Sequence, residues 1–129
     1  MKVSIIKIDK IKQHEEFDKN HLKVLKQKIS KTKFFKEPIV VDKKTMIVLD
    51  GHHRLNSCKQ LGLKKIPCLL VDYINDRNIK VKGRRDNIPI NKKIVVAMGL
   101  SGKVFPKKTT KHFIPGRVRN LQIPLNMLL

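Results

Sequence analysis

The 129-residue chain has no tryptophan, only two cysteines, and 10 acidic residues against 30 basic ones. Cys58 and Cys68 form no CxxC pair and have no neighbouring ligands at zinc spacing, which argues against a disulfide framework and a structural metal. We expect both to be small buried apolar residues. No apolar run approaches the roughly 20 residues that span a bilayer, and Lys7 interrupts the first apolar segment before a signal-peptide core could form. The composition predicts a soluble cytoplasmic protein with no membrane partner.

The formal net charge of +20 favours anionic partners such as nucleic acid, nucleotides or phosphorylated metabolites. Most basic residues are lysines, which are weaker evidence of specific recognition than the planar guanidinium of arginine. The charge therefore does not choose among these partners, and we expect much of it to be solvated surface. A chain of this length with 40% hydrophobic residues can bury one compact core, so we expect a single domain over residues 1–129.

Apolar periodicity along the chain predicts an α+β fold. A β-like run at 3–8 precedes a helix that Asp18 or Asn20 caps and that ends near Lys31. Further strands are expected at 39–42, 46–49, 66–73 and 79–82, with a hairpin turn at 42–45. Further helices are expected from His52 to a left-handed cap at Gly62, and from a cap at Asn91 to Gly99 or Gly102. Three prolines make the segment from 105 to 129 loop and edge strand rather than helix.

The segment Asp50-Gly51-His52-His53-Arg54 stands where a buried strand runs directly into a helix. The free amides at such a helix start carry partial positive charge and suit a phosphate group. Gly51 permits a tight turn and close backbone approach, the two histidines add donors, and Arg54 supplies a bidentate fork. The sequence therefore predicts an anion-binding turn. The alternative is that Asp50 only caps the helix while the histidines form local hydrogen bonds.

A fixed order of segments surrounds this turn. A helix leads into Glu-Pro-Ile-Val-Val, and the hydrophobic strand, the turn and the second helix follow. Leu-Gly and then Ile-Pro-Cys-Leu-Leu-Val come after that helix. Over about residues 3–73 this order resembles the ParB and sulfiredoxin superfamily domain. Sulfiredoxins carry their catalytic cysteine where this chain has His52, which excludes sulfur chemistry there. The ParB turn is typically Gly-Glu-Arg-Arg, of which this chain keeps the first and last residues. The resemblance implies a small mixed sheet flanked by helices, with a core at 3–73 and a C-terminal extension at 77–129 that completes the site.

The turn Asp-Gly-His-His-Arg is similar to the superfamily branch that contains free serine kinases, which phosphorylate L-serine using ADP or ATP. That branch has a His-Glu pair after the first strand, matched here by His14-Glu15, and a Pro-Pro-Lys-Thr-Thr-Arg-His-like stretch, matched by 106–112. The resemblance implies Glu15 as the base that accepts the serine proton, and ADP or ATP with Mg²⁺ as cofactors. The implied second group of nucleotide- and phosphate-binding residues is Lys108, Thr109, Thr110, Lys111 and His112.

These residues make a coherent phosphotransfer site, because a serine hydroxyl is a poor nucleophile until a positioned carboxylate accepts its proton. Asp50 would hold Mg²⁺ or orient the histidines, while His52, His53 and Arg54 would neutralise charge on the transferring phosphoryl group. Ordinary alternatives remain open. Glu15 and Glu16 would then be first-turn acids of a helix, the two threonines β-edge residues, and the lysines solvated.

Two functions of different classes follow. The first is a nucleotide-dependent small-molecule phosphotransferase that makes O-phospho-L-serine, a reaction the resemblance connects with cysteine biosynthesis. The second is a ParB-like nucleotide- or DNA-binding regulatory protein without kinase activity, for which the net charge is the best argument. No helix-turn-helix is evident, and 5% aromatic residues argue against a stacking mode on single strands. A nuclease would need a carboxylate cluster for two metals, which the sequence lacks. The phosphoryl donor, the acceptor, the metal and the oligomeric state stay open.

Overall fold

The computed structural model describes residues 2–129 and contains eight strands, three α-helices and two short 3₁₀ segments. The strands are β1 Lys2–Lys7, β2 Phe34–Phe35, β3 Ile39–Asp42, β4 Val48–Asp50, β5 Lys65–Val71, β6 Lys80–Gly83, β7 Thr110–Phe113 and β8 Ile123–Pro124. The helices are α1 Lys19–Thr32, α2 His52–Gln60 and α3 Lys92–Ser101, and the 3₁₀ segments are Ile8–Lys10 and Leu125–Leu128.

The central sheet has the strand order β1-β5-β3-β4. β1 is antiparallel to β5, β5 is parallel to β3, and β3 is antiparallel to β4. Two smaller sheets pair β6 with β7 and β2 with β8. This architecture confirms the predicted α+β class with a small mixed sheet flanked by helices.

Alternate residues of the central strands pack into two separate clusters, one on each face of the sheet. On one face, Ile39 and Val41 of β3 lie in a cluster with Ile29 of α1 and Leu55 of α2. Both cysteines belong to this cluster, where burial raises the pKa of each thiol to about 12, which confirms that they are inert core residues. On the other face, Val40 lies in a cluster that includes side chains of α3 and of the C-terminal segment. The sheet is therefore covered on both sides.

The helix starts follow the sequence closely. Asp18 caps α1, since its Oδ1 accepts hydrogen bonds from the backbone N–H groups of Asn20 and His21 at 2.9 and 3.2 Å. Asn91 caps α3 in the same way. No side chain caps α2, whose N-cap is Gly51 in the left-handed region at φ 105°. The alternative that Asp50 caps this helix is therefore wrong.

Several predicted bounds need correction. β4 begins at Val48 rather than at Met46, because Met46 has a left-handed φ of 62° that belongs to the preceding turn. β5 ends at Val71 and β6 is shifted by one residue to 80–83. The C-terminal segment is loop and short strand as predicted, except for the 3₁₀ turn after Pro124. None of the helices formed by residues 2–129 is long and apolar enough to cross a membrane.

We predict that Gly51→Ala destabilises the fold far more than Gly62→Ala. A Cβ at position 51 would lie 2.5 Å from Cγ2 and 2.9 Å from Cβ of Ile39, in addition to the strained φ of 105°. At Gly62 the φ is 78° but nothing lies within 4 Å of an added Cβ. We expect losses of roughly 2–5 kcal/mol at position 51 and about 1 kcal/mol at position 62, measured by urea unfolding. Equal losses would contradict the close packing of the turn on β3.

Candidate functional site

A cleft of about 630 Å³ opens beside the turn that joins β4 to α2. Its volume falls within the range of small-molecule sites. All but one of the residues predicted to form the site line this cleft. From the turn and the preceding loop these are Glu15, Asp50, Gly51, His52, His53 and Arg54, and from the C-terminal segment Lys108, Thr110, Lys111 and His112. The exception, Thr109, is fully buried, and its backbone N–H donates a hydrogen bond to Glu15.

Glu15 joins the two halves of the cleft. Its Oε1 accepts hydrogen bonds from the backbone N–H of Thr109 at 3.1 Å, and from the backbone N–H and hydroxyl of Thr110 at 2.7 and 2.9 Å. Within residues 2–129 no donor contacts Oε2. Because α1 begins only at Lys19 and has no acidic residue in its first turn, the alternative that Glu15 is a first-turn acid is wrong. The carboxylate is held in one orientation with one oxygen left for a ligand.

His52 and His53 hold the loop that carries Glu15. The Nε2 of His52 accepts a hydrogen bond from the backbone N–H of His14 at 3.3 Å, and the Nε2 of His53 accepts one from the backbone N–H of Asp18 at 2.9 Å. A nitrogen that accepts cannot carry a proton, so both rings are neutral with the proton on Nδ1. Burial lowers the pKa of both rings, which agrees with the neutral form. The geometry therefore does not support the expectation that they neutralise phosphoryl charge.

Three neutral imidazoles pack together beside the cleft, which His52 and His112 line, whereas His14 is fully buried. The centroid of the His14 ring lies 4.5 Å from that of His52 and 5.8 Å from that of His112, and both contacts are edge-on. His112 also contacts the hydroxyl of buried Tyr73, at 2.8 Å from its Nε2. Burial lowers the pKa of His14 to about 4 and that of His112 to about 3, and holds the pKa of His52 well below its usual value. His14 is fully buried, and its ring nitrogens have no hydrogen-bond partner among residues 2–129.

Some cations at the cleft form ion pairs with carboxylates, and others do not. Arg54 forms an ion pair with Glu37 at 3.0 Å, and Arg117 forms a closer one with Asp50. Exposed Lys108 and Lys111 are not in an ion pair with any described residue, and Arg84 joins them at the rim. The cleft thus presents several uncompensated positive charges to an anionic ligand.

The predicted Mg²⁺ ligand, Asp50, is already bound by the guanidinium of Arg117. The residues that the structure describes contain no group of three His, Cys, Asp or Glu side chains that could hold a metal ion. A resident Mg²⁺ therefore does not fit the donor set that the protein presents. A metal that travels on nucleotide phosphates would need little from the protein, because Mg²⁺ in such sites is held largely by phosphates and water.

Sequence reasoning missed several residues of the cleft. Asp18, predicted as a helix cap, also lines the cleft. Arg84 stands beside Arg85 in a short basic pair, which was a weak signal. Arg117 lies in a segment rich in proline and glycine, and nothing in its local sequence indicates that it reaches Asp50, 67 residues earlier.

We predict that acid weakens the fold between about pH 6.5 and 4, because buried histidines stay neutral in the folded chain. An unfolded histidine takes up a proton below about pH 6.5, whereas folded His14 does so only near pH 4. Stability is therefore fully present above about pH 6.5 and falls as the pH drops. For His14 alone the loss at about pH 5 is on the order of 2 kcal/mol. The free energy of unfolding, measured in urea above about pH 6.5 and again at about pH 5, gives this loss.

The matched control for this prediction is the exposed His21. We expect His14→Leu to flatten the pH dependence and His21→Gln to leave it unchanged. Carboxylates titrate mostly below about pH 4.5, so the upper part of the window isolates the histidines. A stability that stays constant from about pH 7 to 5 would contradict a neutral buried cluster.

The chain is similar to known proteins in both sequence and fold. The family model of the ParB N-terminal domain matches residues 1–85. An ATP-dependent L-serine kinase from Staphylothermus marinus is 40% identical over 84 residues, which are 60% of this chain and 32% of that protein. The match thus spans about a third of the curated relative.

Two solved structures share the fold at low sequence identity. A conserved hypothetical protein from Pyrococcus furiosus superposes with a TM-score of 0.89 at 17% identity, over 100% of this chain and 98% of that one. A free serine kinase in complex with AMP superposes with a TM-score of 0.86 at 17% identity, over 98% of this chain and 93% of that one. These likenesses confirm the fold class. Because the family model covers well over half of its residues, the chain belongs to the ParB N-terminal domain family.

Proposed function

We propose that this chain is a nucleotide-dependent small-molecule phosphotransferase of the free serine kinase type, which makes O-phospho-L-serine from L-serine with ADP or ATP as donor. The observation that carries the proposal is the fixed carboxylate of Glu15, with one oxygen free, in the same cleft as the phosphate-binding turn. The L-serine kinase activity of the relative from Staphylothermus marinus supports the choice of reaction.

In this mechanism Glu15 is the general base. Its Oε1 is engaged by Thr109 and Thr110, so Oε2 is the atom that accepts the proton of the serine hydroxyl as the hydroxyl attacks the terminal phosphoryl group. The bond from that phosphorus to the bridging oxygen breaks, and AMP leaves when ADP is the donor or ADP when ATP is the donor. The hydrogen bonds prevent the carboxylate from rotating away. Thr109 and Thr110 thereby act as positioning residues rather than as phosphate ligands.

The phosphates of the nucleotide would lie against the N-terminus of α2. The free amides after Gly51 carry partial positive charge, and Lys108 and Lys111 add full charges at the rim, while Arg54 remains paired with Glu37. Mg²⁺ would arrive bound to these phosphates and reduce their charge. The neutral His52 and His53 keep the loop of Glu15 in place through its backbone amides.

The proposal also assigns a role to the C-terminal extension at 77–129. Thr110, Lys111 and His112 of β7 face the turn across the cleft, and Arg117 follows them. A core of residues 3–73 alone would lack these groups. We therefore propose that the single domain of residues 1–129 is needed for activity.

We predict that purified protein with Mg²⁺, L-serine and either ADP or ATP yields O-phosphoserine, and that Glu15→Gln lowers the rate by roughly 10²–10⁴-fold. The amide keeps the shape of the side chain but accepts no proton. Nucleotide affinity, measured by calorimetry, should change little. Product is quantified by mass spectrometry.

Glu16 is the matched control because it is adjacent and exposed, and its side chain makes no hydrogen bond to any described residue. Glu16→Gln should retain the wild-type rate. The absence of O-phosphoserine with both nucleotides would reject the kinase proposal, and equal losses in the two variants would reject Glu15 as the base.

The second candidate is a nucleotide- or DNA-binding regulatory protein. The observation in its favour is that α1 carries Lys23, Lys28 and Lys31 on exposed positions, in a chain of net charge +20. A lysine-rich helix face attracts phosphate backbones without reading their sequence.

For this candidate we predict that duplex affinity falls roughly 10³-fold or more between about 50 and 200 mM salt. Fluorescence anisotropy with labelled duplexes measures it, and Lys23→Gln with Lys28→Gln should reduce the salt dependence. A regulatory function requires a sequence preference that survives competitor DNA at the higher salt. Binding that disappears there would be only electrostatic attraction.

A further inference from the structure

We propose that Asp50 and Arg117 form a recognition site for an α-amino acid zwitterion, in which Arg117 binds the carboxylate and Asp50 the ammonium group. This inference rests on the proposed function and specifies its substrate class. It assigns a specificity role to Arg117, which no motif of the sequence indicates. Hydroxyl compounds that are not amino acids lack one or both of these charged groups.

The ion pair between Asp50 and Arg117 leaves several polar atoms free. One N–H of Arg117 donates to Oδ2 of Asp50. The remaining guanidinium donors and the Oδ1 of Asp50 have no hydrogen-bond partner among residues 2–129. Both side chains line the cleft, where that of Arg117 is 15% exposed and that of Asp50 40%. An enclosed guanidinium with spare donors is well suited to a ligand carboxylate.

The other two carboxylates of the cleft, those of Asp18 and Glu15, are committed elsewhere, whereas Asp50 keeps Oδ1 free beside its bond to Arg117. Asp18 caps α1 through Oδ1, and its Oδ2 lies 3.8 Å from the ammonium of Lys107. Glu15 is held by the threonines and is needed for the hydroxyl. Asp50 is therefore the acid that remains for a ligand ammonium.

The cations of the cleft differ in whether they are free to bind a carboxylate. Arg54 is paired with Glu37, and Lys108 and Lys111 are exposed point charges of the kind that bind phosphate. Arg117 differs from all of them because it is enclosed and already aligned by a carboxylate. A zwitterion also adds no net charge to the pair, so it can join the two side chains without leaving either one unpaired.

The test compares three ligands by calorimetry on the full chain, in the presence of AMP. L-serine carries both charged groups, ethanolamine lacks the carboxylate, and 3-hydroxypropionate lacks the ammonium group. We expect the wild-type protein to bind L-serine roughly 10–100-fold more tightly than either analogue. This comparison needs no variant and is therefore independent of folding defects.

Variants then assign each contact. Arg117→Gln should weaken L-serine roughly 10–100-fold and leave ethanolamine unchanged or tighter, while Asp50→Asn should weaken L-serine and leave 3-hydroxypropionate unchanged or tighter. The matched control is Arg119→Gln, because Arg119 is exposed, lies two residues away and pairs with Glu37 instead. It should bind all three ligands as the wild-type protein does.

Each outcome supports or overturns the inference. If Arg117→Gln weakens L-serine and ethanolamine equally, the ion pair only fastens the C-terminal segment, and the inference is wrong. Wild-type protein that binds L-serine no better than the analogues overturns it as well. L-serine binding with the predicted pattern but without O-phosphoserine formation keeps the recognition site and rejects the kinase. Phosphorylation of L-serine that Arg117→Gln does not affect keeps the kinase and rejects the recognition site.

Discussion

The hydrogen bonds from Thr109 and Thr110 to one oxygen of Glu15 are the constraint on which the site depends. They connect residues that are 94 and 95 positions apart in the chain. Bonds to a charged acceptor are the stronger ones in proteins, and three donors on one oxygen leave the carboxylate a single orientation. The loop also pairs with Phe105, whose backbone N–H donates to the carbonyl of His14 and whose carbonyl accepts from the N–H of Glu16. Together these bonds hold the loop before α1 beside the C-terminal segment, so that both line one cleft.

The neutral histidines also serve to hold the loop of Glu15 in position. The loop that carries Glu15 has backbone amides that need acceptors, and the Nε2 atoms of His52 and His53 supply two of them. An acceptor imidazole must stay unprotonated, and burial ensures this for His52 and for its neighbours His14 and His112. The histidines that suggest cationic chemistry in the sequence are thus elements of a neutral scaffold. Positive charge at the site comes from arginine and lysine.

The sequence predicts well what local physics decides. Asp18 caps its helix, Gly51 adopts a left-handed turn, and the strands at 39–42 and 65–71 form because apolar residues there are buried on both faces. It predicts poorly what depends on contacts between distant segments. The pairing of Arg117 with Asp50 and the proton positions of the histidines leave no trace in periodicity or spacing, because they arise only when the C-terminal segment packs against the turn. The resemblance to a family supplied Glu15 and the 108–112 stretch, and the structure brings both into one cleft.

The net charge of +20 is a poor guide to the chemistry of this cleft, whereas the scarcity of acids is a good one. The chain has 10 acidic residues, and three of them, Glu15, Asp18 and Asp50, line one cleft. An anion-binding surface needs no carboxylates, and each one there weakens its attraction for phosphate. Each of the three has a partner in the structure: the N-terminus of α1 for Asp18, the threonine donors for Glu15 and the guanidinium of Arg117 for Asp50. Glu15 and Asp50 each keep one oxygen without a partner among the described residues. The proposed proton transfer and the proposed ammonium contact use these oxygens, whereas the binding of nucleotide or DNA alone does not.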